Sequence, residues 1–571
     1  MKMKKLMALG LAVTMMAGLA GCSTPTSTVE TTQATTQAAA ESTAAGSEGT
    51  TAAEATTAAP TASTTGGKVF RYAIKSDFAT FDPDKTNSVD VATLCYHIYD
   101  GLYRNVQGDI QPAVAEKYEV SDDNLTYTFH LRKDAQWSDG VGVTAKDYEY
   151  GLKRLMNPDT AAPSSFLGAI LKNGDAVSSG QMAVDELGVK AIDDYTLEIT
   201  LDHPAEYFLG MLSMSAFAPV RQDLVEKYGQ DFCAKPENQV YNGPFVVTSY
   251  GNGKTTLAKN DKYYDADKIK LDGVEVLTVA ESNTQVSMFD AGELDMVSLS
   301  TDLAPQYEGK YLEYYDGGND YAAFNHNNKY LANQNLRLAM NYAINREEYI
   351  LLSHSGLYEA NQRYVLPQVH GVNGEYGTEY PLEAYPLQGD MTKAKDYLDQ
   401  ALSELGLSSP SDITLKLVVS DTEAAKKEAE VLANQWKTNL GINIDINMVP
   451  YKTKNAMLTP DNNEYDIIMS GWAPDYSDPY SYLELWIGNS SYNYLNYHSD
   501  AYDKFMEDSK TTTGEERMKN LFNAEKTLLE DGALAPLQLR KIQYMVGENV
   551  TGLEAYFVGL NFNYMYADIA G

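Results

Sequence analysis

The segment YDIIMSGWAPDYSDP, residues 465–479, places two carboxylates, Asp475 and Asp478, just after a short apolar run and with no basic residue among them. An acid without a cation of its own is available to an incoming positive charge such as an amino group. Otherwise it caps a turn or meets an arginine from elsewhere in the chain. Asp478 precedes Pro479 and reads as a turn acid, which leaves Asp475 as the candidate for cation capture. Trp472 either lines a pocket beside it or is core under the turn. Reaction chemistry finds no such support. The histidines fall at 97, 130, 203, 326, 354, 370 and 498, with no HExxH or HxH spacing to hold zinc. There is no GxSxG elbow, no GxxxxGK[ST] loop and no CxxC pair. DPDKTN, residues 82–87, has acids at the first and third positions of a calcium loop. It lacks glycine at the sixth and glutamate at the twelfth, and reads as a turn. Neither a metal, a cofactor nor a catalytic residue is expected.

The elements that must position Asp475 follow from periodicity. YDIIMS predicts a buried strand ending just before Gly471, and ligand crevices of open α/β sheets lie beyond the carboxyl ends of strands. Ile413, Leu415, Leu417 and Val419 alternate as in a strand. Asp421 is a candidate N-cap for a helix to Leu440 with a stripe of Ala425, Ala429, Leu432, Trp436 and Leu440; Gly441 stops it, and INIDINM resumes alternation. Strand, helix and strand with short joints predict a parallel pair. A second unit runs from Val274 to Leu299, and a further helix from Met391 to Leu405 with Gly406 as its stop. Thr144 is placed to cap a helix after the strand YTFHL. Two separated α/β units predict two lobes.

The chain ends and composition bound the setting. MKMKKLMALGLAVTMMAGLAGC has a basic flank and an apolar stretch too short to span a bilayer comfortably, then Leu-Ala-Gly before Cys22. That order resembles the lipobox of bacterial lipoproteins, with cleavage before Cys22 and lipid on its sulfur; the alternative is an ordinary secretory signal with an incidental cysteine. Residues 23–67 are almost entirely Thr, Ala, Ser, Glu, Gln and Gly, and predict a disordered tether. As a coil it reaches about 35–40 Å. Net charge is −35, which argues against a nucleic-acid partner. Cys95 and Cys233 allow one disulfide in an oxidising exterior or none.

Several longer stretches carry a resemblance. The most specific is PAVAEKYEVSDDNLTYTFHLRKDAQWSDG, residues 112–140, followed by VTAKDY. Others are LGVKAIDDYTLEITLDHPAEYF (187–208), YNGPFVV (241–247), DAGELDM (290–296), NLRLAMNYAINRE (335–347) and GWAPDY (471–476). In this order, from Val69 to the end, the chain resembles the extracellular solute-binding proteins of family 5 and, within them, the oligopeptide-binding lipoproteins of ABC importers. The resemblance implies an α/β, two-lobed periplasmic-binding-protein-like fold of type II with an extra domain, three domains in all and a hinged cleft. The divisions expected are a signal peptide at 1–21, a tether at 22–67, a discontinuous first domain at 68–107, 181–316 and 541–571, an inserted domain at 108–180 and a third at 317–540.

It further implies a monomer that is no enzyme, exported and held by lipid at Cys22 on the outer face of the cytoplasmic membrane, of the Gram-positive type. Its partners are an oligopeptide and the permease of an ABC transporter. By family position Asp475 takes the peptide's ammonium, Asn87, Ser88 and Val89 face the cleft from the first lobe, and Gly471, Trp472 and Ala473 from the third. The family's basic residues for the peptide carboxylate fall near Ala425, Pro460 and Met469, none of them cationic; a family tyrosine is Ser164, and Ala473 stands at a missing disulfide position. These departures imply a site fixed at the peptide's amino end and permissive at the other. Two alternatives carry less: the same fold holding an oligosaccharide, with the 42 tyrosines supplying stacking surfaces or ordinary core, and an extracellular hydrolase.

Overall fold

The segment Ile413–Val449 forms the parallel unit its periodicity predicts, in a computed structural model that describes residues 67–85, 88–106 and 108–570. Strand Thr414–Ser420 pairs with Asn443–Val449, Leu415 opposite Ile444 and Leu417 opposite Ile446. The helix between them, Glu423–Leu440, buries Ala429, Leu432, Trp436 and Leu440, and Gly441 ends it at a φ of +79°. Its cap is Thr422, which accepts from the Ala425 N–H, and not Asp421. The Asp421 N–H still donates to the Val449 carbonyl, so that residue belongs to the strand end rather than to the helix. Helix Met391–Leu405 has the bounds its apolar spacing predicts, capped by Asp390 and stopped at Gly406. Thr144 and Asp147 form a capping box on helix Ala145–Met156.

Among the described residues one sheet collects eleven strands. Its two longest, Leu312–Phe324 and Leu534–Val546, lie side by side at the centre and pair antiparallel. Strands Ile467–Trp472, Thr414–Ser420 and Asn443–Val449 extend the sheet to one side. On the other side come Met296–Leu299, Val69–Ile74, Gly273–Thr278, Lys254–Lys259 and Phe245–Gly251. The unit at Val274–Leu299 is therefore parallel but not adjacent, because Val69–Ile74 inserts between its two strands and pairs with both. The central strands lose register between Tyr315 and Asn319, which confines the extra residues Asp316, Gly317 and Gly318 to a bulge opposite Arg540. The expected divisions at 316/317 and 540/541 fall inside these two strands. Gly317 has a φ of +78°, and a Cβ there would strike the Phe557 carbonyl oxygen, so no other residue fits the bulge without displacing backbone.

A separate four-stranded sheet joins Ala115–Val120, Thr126–Leu131, Thr196–Thr200 and Val189–Asp193 in that order. Phe129 pairs with Leu197, both fully buried, and the Leu201 N–H donates to the Leu125 carbonyl. The division expected at 180/181 would cut through this sheet, with Thr126–Leu131 on one side of it and its partner Thr196–Thr200 on the other.

Cys95 and Cys233 are both buried and are not joined by a disulfide. The Cys95 Sγ lies 3.9 Å from the Phe81 carbonyl oxygen and the Cys233 Sγ 4.0 Å from the Tyr99 hydroxyl. Cys22 and Asn87 lie outside the described residues.

Candidate functional site

Strand Ile467–Trp472 buries Ile467, Ile468, Met469 and Ser470 and then becomes half-buried at Gly471 and Trp472. It therefore runs two residues further than its apolar run implies. The reason is pairing with the central strand, Gly471 opposite Asp320 and Trp472 opposite Asn319, where the Asn319 Oδ1 also accepts from the Trp472 N–H at 3.2 Å. Only glycine fits at 471, since a Cβ would lie 2.7 Å from the Asn319 carbonyl oxygen and still closer to Asp320. The chain leaves the sheet at Ala473, and the next residues form one wall of a cleft of about 770 Å³.

Ala473, Pro474, Asp475 and Tyr476 line that wall, and Ser88 and Val89 also line the cleft. Ser88 also caps helix Val89–Ile98, accepting from the Val91 N–H at 3.3 Å, and Val89 is 48% exposed. Gly471 is set back in the sheet, outside the cleft wall. Trp472 lines an adjoining cavity instead, its indole N–H donating to the Ser481 carbonyl at 2.8 Å. Of the seven residues expected at the ligand, the structure thus brings Asp475, Ala473, Ser88 and Val89 into the cleft, Trp472 beside it and Gly471 behind it.

The two acids of the loop have opposite fates. Asp478 is buried, and Arg517 holds it with two hydrogen bonds of 2.9 Å while its Oδ1 accepts from the Tyr480 N–H at 2.8 Å. It is the turn acid expected, with an arginine added. Asp475 has no Lys, Arg or His nitrogen within 4.0 Å among the described residues. Its backbone N–H donates to the Ser481 hydroxyl at 3.3 Å. Burial in the wall pushes its carboxyl up from 3.8 to about 6, with no neighbouring cation to bring it down.

The cleft holds further groups that the sequence does not reveal. Arg540 enters from the central strand Leu534–Val546, its Nε 3.4 Å from the Asp316 carboxylate in the facing bulge. Arg540 and the exposed His370 give the cleft two basic groups, whereas Ala425, Pro460 and Met469 stand outside it. Tyr207 stacks on Tyr476 with ring centroids 4.4 Å apart, and the Arg517 guanidinium lies 5.2 Å from its ring. The neighbouring Glu206 accepts from the Gly514 N–H at 2.7 Å, so this edge of the cleft is closed by direct contacts between segments distant in the chain, Tyr207 with Tyr476 and Glu206 with Gly514. No motif marks these residues, because each acquires its place only when distant strands and loops meet.

Wide similarity to known proteins accompanies this geometry. The dipeptide-binding protein DppE of Bacillus subtilis is 31% identical over 503 residues, 87% of this chain and 91% of that protein. The periplasmic oligopeptide-binding protein OppA of Salmonella typhimurium is 30% identical over 480 residues, 81% of this chain and 85% of that one. Among solved structures, Listeria monocytogenes OppA bound to peptide superposes with a TM-score of 0.72 at 30% identity, covering 89% of this chain and all of the other. The model of the bacterial extracellular solute-binding proteins, family 5, matches residues 109–494, more than half of the chain. This match shows that the chain belongs to the bacterial extracellular solute-binding proteins of family 5.

Proposed function

We propose that the protein is an oligopeptide receptor of an ABC importer, tethered by lipid at Cys22 on the outer face of the membrane, and that it hands its peptide to the permease as a monomer without chemical change. The observation that carries this reading is Asp475, a carboxylate in the cleft wall with no cation within 4.0 Å among the described residues. A peptide's ammonium would supply one. Pairing in a closing cleft, where the dielectric falls, ties occupancy to closure. The remaining contacts are with extended main chain, which is indifferent to side chains and accepts many sequences. The domains that close are the two halves of the large sheet, and the crossing strands with their bulge at Asp316–Gly318 serve as the hinge. The relatives' names, a dipeptide-binding protein and an oligopeptide-binding protein, support the ligand class.

Mass spectrometry of material co-purifying with the protein is expected to find peptides of mixed sequence. Oligosaccharides in their place would overturn the reading, since a neutral sugar offers Asp475 nothing.

Affinity should also depend on pH in a stated direction. The Asp475 carboxyl, raised to about 6 by burial, must be ionised to bind an ammonium. Glu484 is raised to about 7 by burial, opposed by the hydrogen bond from Tyr476 and aided by the charge of Asp475; Lys510 and Asp478 act at longer range, and the Tyr492 ring lies beside both acids. As pH falls through 6 the free carboxyl takes up a proton that the ligand must displace. A peptide with apolar side chains is therefore expected to bind about tenfold more weakly at pH 5 than at pH 7, one pH unit below the raised value costing about 1.4 kcal/mol. Calorimetric titration across this range, with the same or tighter binding at pH 5, would contradict the assignment. For the ligand-free fold the sign is reversed: a raised carboxyl contributes stability below about pH 4 that is lost as pH rises through 6.

A further inference from the structure

A second cavity, of about 370 Å³, adjoins the cleft and shares Phe166 with it. Trp472, Tyr480 and Tyr492 supply aromatic lining, the Trp472 and Tyr492 rings standing 6.0 Å apart at a steep angle. Its charged groups are three acids, Glu484, Asp503 and Glu507, and one base, Lys510. Asp503 accepts from the Gly488 N–H at 2.9 Å, and Lys510 sits 4.0 Å from Glu507. Glu484 has only the Tyr476 hydroxyl, at 3.3 Å, and no cation within 4.0 Å among the described residues. It belongs to the turn directly after Ser481, whose hydroxyl and carbonyl hold Asp475 and Trp472 in place. The segment 472–484 thus supplies Asp475 to the cleft and Trp472, Tyr480 and Glu484 to the second cavity, whose other walls come from Phe166 and from residues 485–510.

Resting on the peptide reading of the cleft, we propose that this cavity receives the side chain of the ligand's first residue and that Glu484 makes it selective for a cationic one, lysine or arginine. The chemistry of the walls fits no other class as well. Aromatic rings accommodate the methylene stem of such a side chain and attract its charged head. The half-buried carboxylate of Glu484 is left with a neutral hydroxyl where a buried acid ordinarily has a cation. An acidic side chain would add a fourth negative charge beside a single lysine. Burial raises the Glu484 carboxyl, which accords with a group awaiting a positive partner.

The test compares three tripeptides that differ only at the first position: Lys-Ala-Ala, norleucine-Ala-Ala and Glu-Ala-Ala, titrated at pH 7.5 into the wild-type protein and into Glu484→Gln. A hydrogen-bonded charge pair of this kind corresponds to a preference of about tenfold or more for lysine over its uncharged isostere. We expect that ratio in the wild type, still weaker binding of the glutamate peptide, and collapse of the ratio to within about twofold in Glu484→Gln. Equal binding of lysine and norleucine peptides to the wild type would overturn the proposal without recourse to any variant, as would a lysine preference that survives Glu484→Gln. If the norleucine peptide binds and requires Asp475 while no lysine preference exists, the selectivity alone is wrong. If none of the three binds, the peptide reading of the cleft falls with it.

Discussion

Replacing Asp475 by alanine is expected to cost about 2–5 kcal/mol of peptide affinity, the usual loss when one partner of a desolvated charge pair is removed and the other is left buried. The ligand-free protein should melt at the same temperature or slightly higher. Asp475 meets no cation within 4.0 Å among the described residues, and its carboxyl is already pushed up to about 6 by burial, so its charge is a burden on the empty molecule. Calorimetric titration together with thermal unfolding separates the two quantities. Lost affinity with unchanged melting identifies a ligand group; lost melting temperature with retained affinity would place Asp475 among the structural acids.

The opposite pattern is expected three residues away. Asp478→Ala leaves the Arg517 guanidinium buried, beside the Tyr207 ring and without its carboxylate. Burial works against the arginine's charge, and the facing Asp478 carboxylate is what keeps its pKa raised. Removing one member of so buried a pair costs about 3–5 kcal/mol of stability, seen as a large fall in the unfolding midpoint. Exchanging both members for leucine should recover most of that loss, because well-packed apolar side chains replace a buried pair at little net cost. A single variant that melts like the wild type would show that the pair contributes nothing. Because Tyr207 also stacks on Tyr476 across the cleft, the single variant should additionally loosen the closed edge.

What the sequence discloses and what it hides divide along a physical line. Helices Met391–Leu405 and Glu423–Leu440 were legible because a stripe at helical spacing ends in each case at a glycine able to take a left-handed conformation. The parallel pair flanking the second helix was legible because short joints leave it no other arrangement. Asp475 was legible from the lack of a local cation at a strand end, although Gly471 and Trp472, equally close in sequence, prove to be strand residues facing elsewhere. Non-local pairing leaves no such trace. The division at 180/181 was drawn across a sheet because Thr126–Leu131 finds its partner strand some seventy residues on, at Thr196–Thr200. Val69–Ile74 likewise slips between two strands that read as neighbours. Arg540 and Glu484 sit in unremarkable stretches and acquire meaning only from what packs around them. Thr422 displaced Asp421 as a cap through one backbone hydrogen bond that no propensity encodes.

The most direct measurement is the affinity of one tripeptide, norleucine-Ala-Ala, with its amino terminus free and with the same terminus acetylated, titrated at pH 7.5. A carboxylate kept without a partner for an incoming ammonium requires that acetylation abolish detectable binding in the wild type. Equal affinity for the free and acetylated forms would show that Asp475 does not hold the amino end, and the cleft would then need a different guest.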